Sequence, residues 1–216
     1  MKFYWIKTNV LIKKIFTNYI WDIPTKKKIV YLTFDDGPTP EITEWVLSQL
    51  KKYDAKATFF SIGNNIEKYP GIFKTILQQG HAIGNHTHDH LNGWQTNQDY
   101  YLDNCKRCEE QILLYKKDSQ QSKLFRPPYG KIKIGQTKQL IKSGYKIIMW
   151  DVLSADFDHS ITPEKSLENV ISNINRGSII VFHDSVKAFK NLEYVLPKTL
   201  DFLKKEGYKL EAISYT

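Results

Sequence analysis

The chain has 216 residues, 41% hydrophobic and 25% charged, with 11 Gly, 8 Pro and 2 Cys. That suits one domain with its own core and excludes collagen, coiled coil, wholesale disorder and a disulfide scaffold. The net charge of +8 is uneven: residues 1–28 hold seven Lys and one acid, Asp22, so the body carries only +2, which argues against a nucleic-acid-binding face.

The first element is a basic arm over residues 1–28, preceding a body over 29–216. Read as one helix, Tyr4, Leu11, Ile15 and Tyr19, with Trp5, Ile12 and Phe16 beside them, form an apolar stripe. Lys2, Lys7, Lys13 and Lys14 lie off it. Such a stripe most often packs on the body, here closing an open barrel end. A basic helix rich in aromatics also suits peripheral contact with an anionic membrane. Lys7, Lys13 and Lys14 interrupt any signal-like apolar run, and no small-residue cleavage site follows. The expected location is therefore cytoplasmic or peripheral on a membrane. No run reaches the roughly 18 apolar residues of a membrane span.

Seven short apolar runs then recur: Ile29–Phe34, Ala57–Ser61, His81–Asn85, Lys123–Arg126, Lys146–Asp151, Ser178–Phe182 and Tyr208–Ile213. Bounded runs of this kind predict buried strands. Helical patterns alternate with them. One opens at Thr39-Pro40; others cover Pro70–Gln79 and residues near 96–116, 135–143, 163–175 and 191–206. The alternation predicts an α/β fold with a parallel sheet, open or closed into a barrel.

Chemistry-bearing clusters follow the predicted strands, where parallel barrels place their sites. Asp35-Asp36-Gly37 ends the first strand. Adjacent strand residues point to opposite faces, so both carboxylates reach one site only if the chain turns there, and Gly37-Pro38 supplies a turn. His86, His88 and His90 crowd into five residues after the third strand, and imidazole is a common metal ligand. Their spacing does not choose among them. Two His and one Asp with open positions suit catalytic zinc and equally resemble the facial triad of iron oxygenases. Arg126-Pro-Pro-Tyr129-Gly130, Asp156-Phe157 and His183-Asp184 complete the set. Asp156 beside His183 makes a plausible oriented acid. Cys105 and Cys108 share a predicted helix on which Leu102, Cys105, Ile112 and Leu113 trace a packing face, which reads as core or surface thiols. His81 and His159 have no assigned role.

The ordered set Thr33-Phe-Asp-Asp-Gly-Pro38, His86-Thr-His-Asp-His90, Arg126-Pro-Pro-Tyr129, Asp156 and Val181-Phe-His183 resembles the polysaccharide deacetylase family, the NodB-homology group of carbohydrate esterase family four. The resemblance covers about residues 29–213. It implies a distorted, incomplete (β/α) barrel of about seven parallel strands. It implies hydrolysis of acetyl groups, above all N-acetyl groups of amino sugars, from an oligo- or polysaccharide, with a divalent metal: zinc first, cobalt or nickel next. By position, Asp35 looks like the general base, and Asp36, His86 and His90 like the metal ligands. Arg126 would tune Asp35, and Asp156 would pair with the acid His183. Tyr129 would serve the oxyanion through its backbone N–H, and Phe157 and Val181 would wall the acetyl pocket. Two motifs depart from the pattern: in one, Leu153 replaces the first Asp of the family's Asp-x-x-Asp-Trp and Phe157 its Trp; in the other, Val181 replaces a Leu. The two wall changes, Phe157 and Val181, leave a slightly roomier apolar pocket. An inactive glycan-binding relative, an O-acetyl esterase and an iron oxygenase are the competing readings.

Overall fold

The computed structural model describes residues 4–116 and 123–214; Lys2 of the arm lies outside them. Among the described residues the strands are β1 (Tyr19–Ile20), β2 (Ile29–Asp35), β3 (Thr58–Ser61), β4 (Ala82–Asn85), β5 (Lys123–Phe125), β6 (Tyr145–Ile148), β7 (Val152–Leu153), β8 (Ile179–His183) and β9 (Lys209–Leu210). The helices are α1 (Val10–Ile15), α2 (Ile42–Lys52), α3 (Gly63–Lys68), α4 (Pro70–Gln78), α5 (Gln98–Leu113), α6 (Ile134–Lys142), α7 (Pro163–Ile171) and α8 (Phe189–Lys205). The strands run in the order β1-β6-β5-β4-β3-β2-β8-β7, with β9 also on β2, and every pair is parallel. This is the distorted, incomplete (β/α) barrel that the alternation and the resemblance imply, here a curled half-barrel. Capping side chains set helix starts: Asn97 accepts from the Tyr100 N–H, and Thr162 accepts from the Lys165 N–H ahead of Pro163, whereas the helix expected to open at Thr39-Pro40 begins at Ile42 behind Glu41.

Strand alternation divides the core. On β2, Val30, Leu32 and Phe34 face the helix layer with Val46, Leu50, Phe73, Leu192 and Leu196. The alternate residues Ile29 and Tyr31 join Phe60, Leu124, Ile148 and Ile179 in a second apolar cluster. Period-2 alternation therefore carries Thr33 and Asp35 to that second face, at the strand ends.

The arm departs from the single helix expected. Among its described residues only Val10–Ile15 is helical. Lys7 bridges Val152 in antiparallel sense, and the Leu153 N–H donates to the Ile6 carbonyl. β1 pairs with β6, and Asp22 bridges Ser178 just ahead of β8. The arm thus fills the seam between β6 and the β8–β7 edge. The run Lys146–Asp151, expected as one strand, explains the seam: β6 pairs with β5, and after three intervening residues β7 pairs with β8. Lys7 and Lys13 point inward, each placing Nζ 2.5 Å from a carboxylate oxygen of Asp151. Val10, Leu11, Ile15 and Phe16 stay exposed. Among the described residues no helix is long and apolar enough to cross a membrane.

Candidate active site

β2 delivers the two carboxylates. Asp35, 4% exposed, continues the Ile29–Tyr31–Thr33 face. Asp36 then leaves the strand at φ 85°, so adjacent residues reach one mouth. Such a φ is costly for a non-glycine residue and is held by the next turn. There the Gly37 N–H donates to Asp184 Oδ1 at 3.1 Å, and a Cβ at Gly37 would lie 2.0 Å from Asp184 Oδ2. Thr43 Oγ1 donates to the same carboxylate at 2.5 Å. Burial, reinforced by Asp36, pushes the Asp184 carboxyl up to about 8.

Arg126 follows β5 and is fully buried. Nη1 donates to Asp35 Oδ1 and to Thr33 Oγ1, each at 2.7 Å; Nε and Nη2 donate to the carbonyls of Ile148 and Met149. Its guanidinium stacks 4.1 Å from the Phe60 ring centroid. Phe60 can lie there because residue 84 is glycine: a Cβ would come within 2.3 Å of its ring. A buried charge needs a partner and satisfied donors, and Arg126 has both. Burial pulls its affinity for the proton down, while Asp35 opposes that.

The segment after β4 is neither helical nor extended, which decides the histidine question that spacing left open. Thr87 and His90 adopt φ of 62° and 55°. Asn85 Oδ1 accepts from the Thr87 N–H, and Asn104 Oδ1 from the N–H groups of His88 and Asp89. The turn aims His86 and His90 at Asp36, their Nε2 atoms lying 3.8 and 3.2 Å from its Oδ1. His88 turns away, toward Glu67 and Gly63. His86 Nδ1 lies 2.7 Å from the Arg126 carbonyl, which can only accept, so Nδ1 carries the proton and Nε2 presents its lone pair. Burial pulls the His86 imidazole down to about 4, keeping it neutral. Burial pushes Asp36 the other way, but the hydrogen bond from His90 and the facing His183 and His86 hold it well below the usual carboxylate range. One carboxylate and two imidazoles, with ligand atoms within 4.8 Å of one another, could hold one divalent cation. This mixed oxygen–nitrogen set, its imidazole fixed from behind, fits zinc and its neighbours.

His183 ends β8 in register with Asp35. Its Nδ1 lies 2.8 Å from Asp156 Oδ1, and its backbone N–H donates to Oδ2 at 2.8 Å. Burial disfavours the charged ring, but Asp156 outweighs it, with help from Asp36 and Asp35, and raises the imidazolium to about 9. Phe157 sets its ring edge-on to His183, with centroids 5.0 Å apart. Val181, two residues before His183 on the same strand face, is buried. Tyr129, at φ 60° and largely exposed, packs edge-on to His90 with centroids 4.6 Å apart. A cleft of about 880 Å³ opens from Asp36 and His90 past Thr39, Trp45, Tyr69 and Phe189.

All ten candidate residues therefore lie at or beside one end of the sheet. Cys105 and Cys108 lie apart, buried on α5 as free thiols, and burial pushes the Cys108 thiol up to about 12. Thr43 and Asn104 are supports that sequence reasoning missed. Thr33 and Asp184 stood inside the ordered clusters but without a role of their own.

Comparison with known proteins gives the family. A sequence model described as polysaccharide deacetylase matches residues 22–148. A peptidoglycan-N-acetylglucosamine deacetylase from Bacillus cereus is 35% identical, over 92% of each chain. A chitooligosaccharide deacetylase from Azorhizobium caulinodans is 34% identical, over 75% of this chain and 76% of its own. The crystal structure of the peptidoglycan N-acetylglucosamine deacetylase Bc1960 superposes with a TM-score of 0.84 at 34% identity, over 91% of each chain. That of BA3943 from Bacillus anthracis, described as a pseudoenzyme, does so at 0.79 and 27%, over 90% of this chain and 66% of its own. With its fold, its five ordered motifs and these relatives in agreement, the chain belongs to the polysaccharide deacetylase family.

Proposed function

We propose that this protein hydrolyses N-acetyl groups of an amino-sugar glycan, releasing acetate and a free amine, in a metal-dependent reaction. The observation that carries this is the meeting, at one end of the sheet, of a buried Asp35–Arg126 pair, the Asp36–His86–His90 cluster and a charged His183–Asp156 pair. The glycan class follows from the relatives that act on peptidoglycan and chitooligosaccharides.

Asp36, His86 and His90 would hold the divalent cation, zinc first and cobalt or nickel next, which when bound supplies Lewis-acid polarisation of the acyl oxygen and acidifies water. Asp35 takes the proton of the attacking water. Its carboxylate is fixed by Arg126, so it meets the water without first reorganising. The Tyr129 N–H donates to the developing oxyanion. His183, charged at neutral pH, gives its proton to the departing nitrogen, which would otherwise leave as an unstable amide anion. Asp156 fixes the Nδ1 proton and leaves Nε2 to deliver the other. Phe157 and Val181 wall the acyl methyl.

Acetate release from N-acetylglucosamine oligomers tests the reading, with metal stripped and zinc restored. Asp35→Asn should still bind one zinc and lose about a hundred- to ten-thousandfold in turnover. His86→Ala should lose both. Turnover that survives metal removal, or a fully active Asp35→Asn, refutes the mechanism. Zinc binding without turnover on any acylated glycan shifts the reading to an inactive binder. For the exposed Val10–Phe16 face in an arm of net charge +6 we also propose contact with anionic bilayers; equal sedimentation of the wild type and Leu11→Glu with anionic vesicles would refute it.

A further inference from the structure

We propose that Tyr4, in the arm, is a positioning residue for Phe157, and that the two rings together form one wall of the acyl pocket. This rests on the deacetylase reading above. The arm's register delivers Tyr4 to the loop. Lys7 pairs antiparallel with Val152, so Tyr4, three residues earlier, meets the chain about three residues beyond Val152. Just past that point, in the same loop, Tyr4 Oη donates to Asp158 Oδ2 at 2.7 Å, across 154 residues of sequence. Its ring stands edge-on to Phe157, with centroids 5.6 Å apart and planes at 69°. Phe157 in turn stands edge-on to His183. A line of contacts thus runs from the arm through Phe157 to the proposed acid.

The loop is held from two sides. Asn191 Nδ2 donates to the carbonyls of Asp156 and Asp158, tying the loop to α8. Asp158, only 8% exposed, binds the Ser160 N–H and hydroxyl through Oδ1 and Tyr4 through Oδ2. Burial and Asp158 push the Tyr4 phenol up to about 12, so it remains a donor through the working pH range. Phe157 is smaller than the Trp of the family pattern, and a smaller ring at that place leaves room. The Tyr4 ring, brought by a different part of the chain, packs beside it.

The test uses the full-length, zinc-loaded protein and two substrates, N-acetyl- and N-propionyl-glucosamine oligomers. Tyr4→Ala should raise the propionyl-to-acetyl ratio of kcat/KM about tenfold, the scale of one methylene in a pocket. The change should fall mainly on KM, with the alkaline limb of the pH profile unmoved. Tyr4→Phe, which keeps the ring and loses the Asp158 bond, should shift the ratio less. Adding Phe157→Trp to Tyr4→Ala should return the ratio toward wild type, which a merely destabilised arm would not allow. If Tyr4→Ala does not fold, Tyr4→Leu takes its place. An active wild type whose acyl ratio is the same in Tyr4→Ala or Tyr4→Leu overturns the proposal alone. A zinc-loaded wild type that hydrolyses neither substrate overturns the deacetylase reading, and the proposal with it.

Discussion

Two buried charge clusters organise this barrel, and they are built differently. At the candidate site, Asp35 and Arg126 pair in an almost dry interior, 4% and 0% exposed, each on a strand end. At the seam, Asp151 is equally buried, but its partners Lys7 and Lys13 come from the N-terminal arm and keep part of their stems in water. The first pair sits where desolvation is most severe and geometry most constrained. The second fastens the N-terminal arm over an opening in the sheet. The contrast shows burial serving function in one place and closure in the other, and each makes its own demand on substitution.

The largest effect should come from Arg126. Arg126→Met leaves Asp35 buried without its cation, and breaking such a pair typically costs about 3–5 kcal/mol. Urea unfolding at pH 7 measures it. Adding Asp35→Asn should recover a large share of the loss, because the cost is the orphaned charge more than the missing bonds. A double variant no more stable than Arg126→Met would mean that the packing of Arg126 on Phe60, not the pair, carries the stability.

Next comes the charge state of His183. Its imidazolium is raised to about 9, with Asp156 overcoming burial. A raised value means that the pair's stabilisation is full below the ordinary value of about 6.5 and is lost as pH rises through about 9. The same window governs the acid role, so kcat should fall on the alkaline side. A cation on Asp36 removes part of the support and moves the limb below about 9. Asp156→Asn removes the largest remaining support and moves it further down, a loss at pH 8 of up to about thirtyfold in the protonated form. A pH–rate profile with an unmoved alkaline limb in Asp156→Asn would remove His183 from the acid role.

These contrasts also explain what could be read in the sequence. The β2 run was legible because a bounded apolar run rich in β-branched and aromatic residues marks a buried strand, and Gly37-Pro38 marks the turn that ends it. The ordered motifs at strand ends were legible for the same reason. Spacing alone did not choose between His86, His88 and His90, and only the resemblance did, because the choice depends on left-handed residues at Thr87 and His90 and on anchors from Asn85 and Asn104. The arm was misread as one helix because its lysines looked like a solvated face. Lys7 and Lys13 instead turn inward to Asp151, whose place at the break between β6 and β7 no local pattern announces.

The seam should yield the smallest effect and the clearest separation from the site. Asp151 accepts from Lys7, Lys13 and Ser178. Burial works against its carboxylate, yet the two ammonium groups and the hydroxyl hold it below the usual range. The sign follows: a depressed carboxyl contributes stability above its unfolded value, about 3.9, and loses it as pH falls through the folded one. Asp151→Asn keeps the shape and the Ser178 contact but discards the charge, at about 1–2 kcal/mol at pH 7, since the lysines stay partly solvated. Between pH 5 and 3 the wild type should lose stability faster than the variant, and the two curves should converge. Acetate release at pH 7 should stay within about twofold, because Asp151 contacts none of the candidate catalytic groups. A large loss of turnover at preserved stability would instead join the seam to the chemistry, and the two charge clusters would then have to be treated as one.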